Sequence, residues 1–211
     1  MNKHKLFLPA LLAGLLASSC NTLNYEDAQD EETVAIGFGS TDKQEFASAM
    51  VSSLIASPTL NYIGGPDKGD DMRIIVYMGG VANRTSEHID TTGITDSIRK
   101  TMLNSGKFRF VTTAAGQSEI GDQVNFQQAS GRVDPAKARE FGKQLGADVV
   151  MYGTLRSIEK TRDRTIANVG TKTDDLYYQF VLECANIETG EVIWIDEKEL
   201  RKVEKTNLFG G

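Results

Sequence analysis

Cysteine, histidine, proline and tryptophan are scarce in this chain, with 2, 2, 4 and 1 copies among 211 residues. Each shortage closes off a class of function. Cys20 and Cys184 are too few for a disulfide framework or a cysteine-based zinc site. Beyond His4 near the start, His88 is the one histidine, in Ser86-Glu87-His88-Ile89-Asp90. A catalytic triad needs base, acid and nucleophile to meet in space, and neighbours on one short loop rarely point at one another. Glu87, His88 and Asp90 make a poor transition-metal set, because no further Cys or His is at hand. The chain therefore reads as a non-enzyme with no cofactor. Acidic residues outnumber basic ones 29 to 23, a net charge of −6, which argues against nucleic acid as a partner. The apolar run from Leu6 to Ala17 is too short to span a bilayer as a helix.

That run has a different meaning in its setting. Lys3 and Lys5 precede it and Ser18-Ser19-Cys20 follows, the arrangement of an export signal with a small-residue cleavage site. The segment resembles the bacterial lipoprotein signal, with Ala17 where Leu is commoner. The resemblance implies a signal peptide over 1–19 and a mature chain that begins at a lipidated Cys20, whose thiol carries diacylglycerol. Asn21 after the cysteine is compatible with the outer membrane. Alkylation of Cys20 leaves Cys184 as the sole thiol. It falls in the alternating run Tyr178, Phe180, Leu182, Cys184 and reads as a core residue.

Residues 20–32 read as a polar, acidic tether, and 33–211 as one domain of ordinary size. A flexible tether of about twelve residues has a typical span of roughly 20 Å and an extended limit near 40 Å. Within the domain, strand and helix patterns alternate. Thr33 to Gly39 reads as a short strand. Thr41, with Gln44 three residues on, reads as a capping box for a helix burying Phe46, Met50 and Leu54 and ending before Pro58. Met72 to Met78 reads as a central strand, Ile94, Ile98 and Met102 mark a helix closed by Gly106, and Lys107 to Val111 reads as a strand. A weaker helix spans Ala114 to Gln128, and Asp134-Pro135 opens another that ends at Gly146. Val149 to Ile158, Leu176 to Ile187 and Val192 to Val203 read as strands, the last two joined by the turn Glu188-Thr189-Gly190-Glu191. The expected fold class is α/β: a mixed β-sheet flanked by helices and ending in an antiparallel meander.

Two loops invite ligand readings and decline them. Gly37-Phe38-Gly39-Ser40-Thr41-Asp42 is spaced like a dinucleotide fingerprint, but Asp42 puts a negative charge where a pyrophosphate would sit, so the stretch reads as a helix cap. Asp67, Asp70 and Asp71 have no EF-hand spacing and read as a solvated turn.

Five stretches, taken in order, carry a family likeness. They are Asp42-Lys43-Gln44-Glu45 through Met50-Val51-Ser52-Ser53-Leu54, then Asn83-Arg84-Thr85, then Ser105-Gly106-Lys107-Phe108-Arg109-Phe110-Val111. Gly146-Ala147-Asp148-Val149-Val150-Met151-Tyr152-Gly153 and Glu188-Thr189-Gly190-Glu191-Val192-Ile193-Trp194 complete the set. Together they resemble the LpoB-type family of lipoproteins that activate penicillin-binding proteins. The resemblance implies a periplasmic domain akin to the N-terminal domain of TolB, held at the outer membrane by its lipid. It also implies a class A penicillin-binding protein as partner, whose peptidoglycan synthesis the chain stimulates without catalysis of its own. Two departures stand out: the tether is short and free of proline, and Glu159 to Asp175 is a charged insertion expected to form a long exposed hairpin. Another periplasmic binding or assembly lipoprotein is the alternative reading, and that hairpin adds the related CsgG-type secretion channels as a further one. Thr161 to Thr173, however, has only Ile166, Ala167 and Val169 as apolar residues, short of a membrane strand's alternation. Asn83, Arg84 and Thr85, where a strand meets a loop, are the candidate partner-binding residues. The same residues have a structural reading, in which Asn83 caps a turn and Arg84 pairs with an acid of its own domain.

Overall fold

The computed structural model describes residues 26–32, 35–63, 71–137, 146–168 and 170–207. Met1–Asp30 and Glu31–Gly211 are separate compact units. In the first, the described residues make a turn in which the Gln29 amide donates to Asp27 Oδ1 at 2.9 Å. Cys20 and the signal lie outside the described residues. Among those described, no helix is long and apolar enough to cross a membrane.

The second unit is a five-stranded mixed sheet with helices. In chain order its elements are α1 (Ser40–Ala56), β1 (Ile74–Arg84), α2 (Thr92–Asn104), β2 (Phe108–Phe110), α3 (Ala114–Ala129), β3 (Val149–Arg162), β4 (Lys172–Asn186) and β5 (Val192–Thr206). The strand order is β2-β1-β3-β4-β5; β1 runs parallel to both β2 and β3, and β3, β4 and β5 form the antiparallel meander. The α1 helix packs on α2 and β5, and α2 packs on β1 and β2. Their apolar stripes meet the alternating inner residues of the strands, so Phe46, Met50, Leu54, Ile94, Ile98 and Met102 share one core with Leu155, Tyr178, Phe180 and Cys184. Burial pushes the Cys184 thiol up to about 12, as suits a packing residue and not a nucleophile.

Register depends on close backbone contacts. A Cβ on Gly153 would lie 2.5 Å from the Val181 carbonyl oxygen, and the two-residue bulge at Gly79-Gly80 falls where β1 loses register with β3. Asp148 ties the strand ends together. Its Oδ2 accepts the Ile75 amide at 2.7 Å, its own amide donates to Ile75 O at 2.7 Å, and its carbonyl accepts the Ile187 amide at 3.0 Å.

Three expectations change at their edges. No strand forms over 35–39, because the amides there are taken by side-chain carboxylates: Phe38 N donates to Glu87 Oε2 at 3.0 Å, and Gly39 N to Asp42 Oδ2 at 2.8 Å. The cap of α1 is accordingly Gly39, closed by Asp42, with no box between Thr41 and Gln44. And β1 continues to Arg84, so it carries Asn83 and Arg84 on its last turn of pleat. The helix expected after Asp134 falls largely outside the described residues, although Asp134 does cap a turn, its Oδ1 accepting the Ala136 amide at 3.0 Å.

The Glu159 to Asp175 insertion extends β3 and β4 as a paired hairpin closed by a loop, with Ile166 fully exposed at its tip. A loop so little buried adds little to folding. Replacing residues 163–171 by Asn-Gly should change stability by less than about 1 kcal/mol, read from thermal unfolding. Loss of a cooperative transition would show that the tip packs on the body.

Candidate functional site

Asn83, Arg84 and Thr85 form the corner where β1 ends. Asn83 builds it: Nδ2 donates to Glu87 O at 2.9 Å, while Oδ1 accepts the Thr85 amide at 2.9 Å and the Thr85 hydroxyl at 2.7 Å. Glu87 O, 3.1 Å from Thr85 Oγ1, is a second and more distant acceptor for the same hydroxyl proton. These two residues shape the corner, as local side-chain to backbone bonds commonly do. Ser86 closes it from the other side with a hydroxyl bond to Glu159 on β3.

Arg84 differs from its neighbours. It is exposed, its side chain makes no hydrogen bond or ion pair with the described residues, and parallel pairing places it beside Arg156 of β3. Arg156 is also exposed and equally unpaired among the described residues. Adjacent strands lie about 4.8 Å apart, and like charges side by side across a ladder are mutually destabilising. The corner thus presents two adjacent guanidinium groups to solvent, ready for a partner's oxyanions. Sequence reading missed Arg156, because its place beside Arg84 depends on a register between strands 72 positions apart.

Behind the corner sits a partly buried polar cluster. Glu87 turns inward, accepting the Tyr178 hydroxyl on Oε1 and the Phe38 amide on Oε2. Burial first, and then this bond, hold the Tyr178 phenol well above its ordinary range. Asp42 caps α1 and receives Lys202 Nζ at 2.5 Å, which also donates to Gly37 O at 2.8 Å. Glu32 accepts the Ser40 amide at 2.7 Å. The start of α1 is therefore occupied by this chain's own carboxylates.

His88 is exposed. Beside it, Asp90 bonds the Thr92 amide at 3.0 Å and the Thr92 hydroxyl, which lowers its carboxyl below the usual value. Asp67 and Asp70 lie outside the described residues, and Asp71 pairs with Arg73 and Arg109. No cluster of three or more metal-ligating side chains occurs among the described residues.

Comparison with known proteins adds what geometry alone does not. The family described as "Peptidoglycan-synthase activator LpoB" matches residues 42–200, three quarters of the sequence. The chain belongs to the LpoB family. Its corner, its Asp148 strand clasp and its Glu188 to Trp194 turn all fall inside the matched span. Among solved structures, the LpoB C-terminal domain from Salmonella enterica is 16% identical with a TM-score of 0.42, the alignment covering 75% of this chain and 98% of that one. LpoB of Escherichia coli, solved by NMR, is 14% identical with a TM-score of 0.39 over 97% of this chain and 91% of that one. The lipoprotein GNA1162 of Neisseria meningitidis is 14% identical with a TM-score of 0.35 over 62% and 84%. Compared with curated proteins by sequence, the chain has no significant match.

Proposed function

We propose that this LpoB-family chain is a lipoprotein, anchored through Cys20 at the outer membrane, that binds a class A penicillin-binding protein and stimulates its peptidoglycan synthesis. The observation that carries the contact site is the pair of exposed arginines, Arg84 and Arg156, unpaired among the described residues, on a corner built by Asn83 and Thr85. A fixed pair of guanidinium groups suits an acidic surface, since each fork can take a carboxylate bidentately and desolvated contacts of this kind become interface hot spots. Activation then requires tighter binding to the synthase's active state than to its resting state, because a ligand shifts an equilibrium only by its differential affinity. The protein needs no catalytic group for this.

The test is glycan-chain synthesis by the organism's own bifunctional penicillin-binding proteins, with and without the whole chain in detergent. Stimulation of at least one is expected. No stimulation and no binding at tens of micromolar, across all of them, would leave only a generic envelope protein. Arg84→Ala and Arg156→Ala should each weaken binding by about 1–3 kcal/mol, or roughly five- to a hundredfold. Thermal stability should hold or rise slightly, because each change relieves a like-charge pair. A lowered melting temperature with unchanged binding would assign these residues to the fold instead.

A further inference from the structure

The arm that β3 and β4 build beyond the core, with the end of β5 laid along it, is charged differently on its two faces. Strand alternation keeps Leu155, Leu176 and Tyr178 on the core side. The outer face therefore carries the cross-strand rows Lys160–Asp175–Val203 and Arg162–Thr173–Lys205, with Ile158 and Arg201 one row nearer the body. Lys160, Arg162, Arg201 and Lys205 line one shallow groove of about 350 Å³ on that face. A single carboxylate, Asp175, stands among them, and Arg201 already holds it through Nε at 2.9 Å and Nη2 at 2.6 Å. The side chains of Arg162 and Lys205, both exposed, make no hydrogen bond or ion pair with the described residues. At the rim are Asp163 in the loop and Glu31 and Glu204 on the β5 edge. In a chain of net charge −6, the outer face is a local excess of positive charge.

Connectivity keeps other acids away. Outside the described residues the acidic side chains are Asp67, Asp70 and Glu140, in segments 64–70 and 138–145 that rejoin the fold just before β1 and β3 begin. The 14 residues of β3, at about 3.3 Å each, put roughly 40 Å between that end of the sheet and Arg162. The cations also alternate with aliphatic side chains left in water. Ile158 and Val203 are 54% and 49% exposed, and Ile166, in the loop that closes the hairpin, is fully exposed. A soluble polyanion offers charge alone and would leave these three uncovered. An anionic bilayer serves both kinds of side chain, with phosphates for Lys and Arg and acyl carbon for Ile and Val. So few aliphatic residues suit an arm that lies on the surface, not one that crosses it.

We propose that the outer face of this arm docks on an anionic phospholipid surface, with Lys160, Arg162 and Lys205 among the headgroups and Ile166 at the acyl boundary. The contact is separate from any lipid on Cys20. Residues 31–211 form a compact unit that contains the whole core, so they are tested alone, free of signal and acyl chain. The protein is sedimented with vesicles of phosphatidylcholine, or of phosphatidylcholine and phosphatidylglycerol in a seven-to-three mixture. Affinity should be roughly a hundredfold higher for the anionic vesicles in low salt, and the preference should vanish in about 0.5 M salt. Arg162→Gln and Lys205→Gln should each weaken binding about fivefold, and both together with Lys160→Gln should erase the preference. Lys107→Gln, exposed at the opposite end of the sheet, should change nothing. Ile166→Ser should weaken binding to anionic vesicles about tenfold, an effect that charge alone does not give. All these substitutions are at exposed positions. Equal binding to both vesicles, a preference that survives in the triple variant, or full binding by Ile166→Ser would each overturn the assignment. So would binding to dextran sulfate, a soluble polyanion, without binding to either vesicle.

Discussion

Glu87→Ala should destabilise the domain by about 2–5 kcal/mol. The carboxylate accepts a hydroxyl from Tyr178, which is fully buried, and an amide from Phe38, so its removal strands two donors, each worth about 1–3 kcal/mol when left unsatisfied. Glu87→Gln keeps one acceptor oxygen and should cost less. Tyr178→Phe in the Glu87→Ala background should recover part of the loss, since it removes a stranded hydroxyl, and the double-mutant cycle should report a coupling of about 1 kcal/mol or more. Chemical denaturation measures all four species. Additive effects would show that the bond is incidental. The same pair sets an alkaline limit. Tyr178 has a folded pKa raised above its unfolded value near 10, so its contribution is complete below about pH 10 and is lost as pH rises above that. Absorbance titration of the phenols should find one tyrosine that ionises only as the protein unfolds, and Tyr178→Phe should remove it.

Cys20→Ala should abolish fatty-acid labelling of the protein in cells, an all-or-none effect. Buried acyl chains contribute about 0.8 kcal/mol per methylene, and two membrane signals already suffice for stable anchoring. A bacterial lipoprotein carries three chains on the cysteine, so the wild type should resist extraction by salt. Label on Cys20→Ala would end the lipoprotein reading and, with it, the placement at the outer membrane. Were the anchor confirmed, a tether of about a dozen residues would hold the domain within a few tens of ångströms of its membrane, so the synthase must project toward it.

Much of the fold was legible because period and burial agree. Residues Tyr178, Phe180, Leu182 and Cys184 alternate in sequence and all face the core, and Ile94, Ile98 and Met102 stack on one helical face, each fully buried. The segment at 35–39 misled because its pattern is that of a strand while its amides are claimed by Glu87 and Asp42, the first of them 49 positions from the amide it takes. Periodicity carries no record of such a bond. Gly39 as the cap was hidden likewise, since Asp42 and Gln44 both stand where a capping acceptor is plausible and the backbone path decides between them. Of the corner, Asn83 was readable as a turn former. The placing of Arg84 beside Arg156 was not, because it depends on the register between β1 and β3.

The clasp at the start of α1 also sets how the domain would respond to being pulled. Tension arriving along residues 31–39 meets Glu32 on the Ser40 amide, then Lys202 on Gly37 and Asp42, then Glu87 on Phe38, before it reaches any strand ladder. These contacts lie in series along the chain, so a pull meets them one after another. The β4 to β5 ladder, fifteen residues long on each strand, would stay shielded until the last has parted. A pull on the N-terminal segment would therefore act first on side-chain contacts and only later on the sheet.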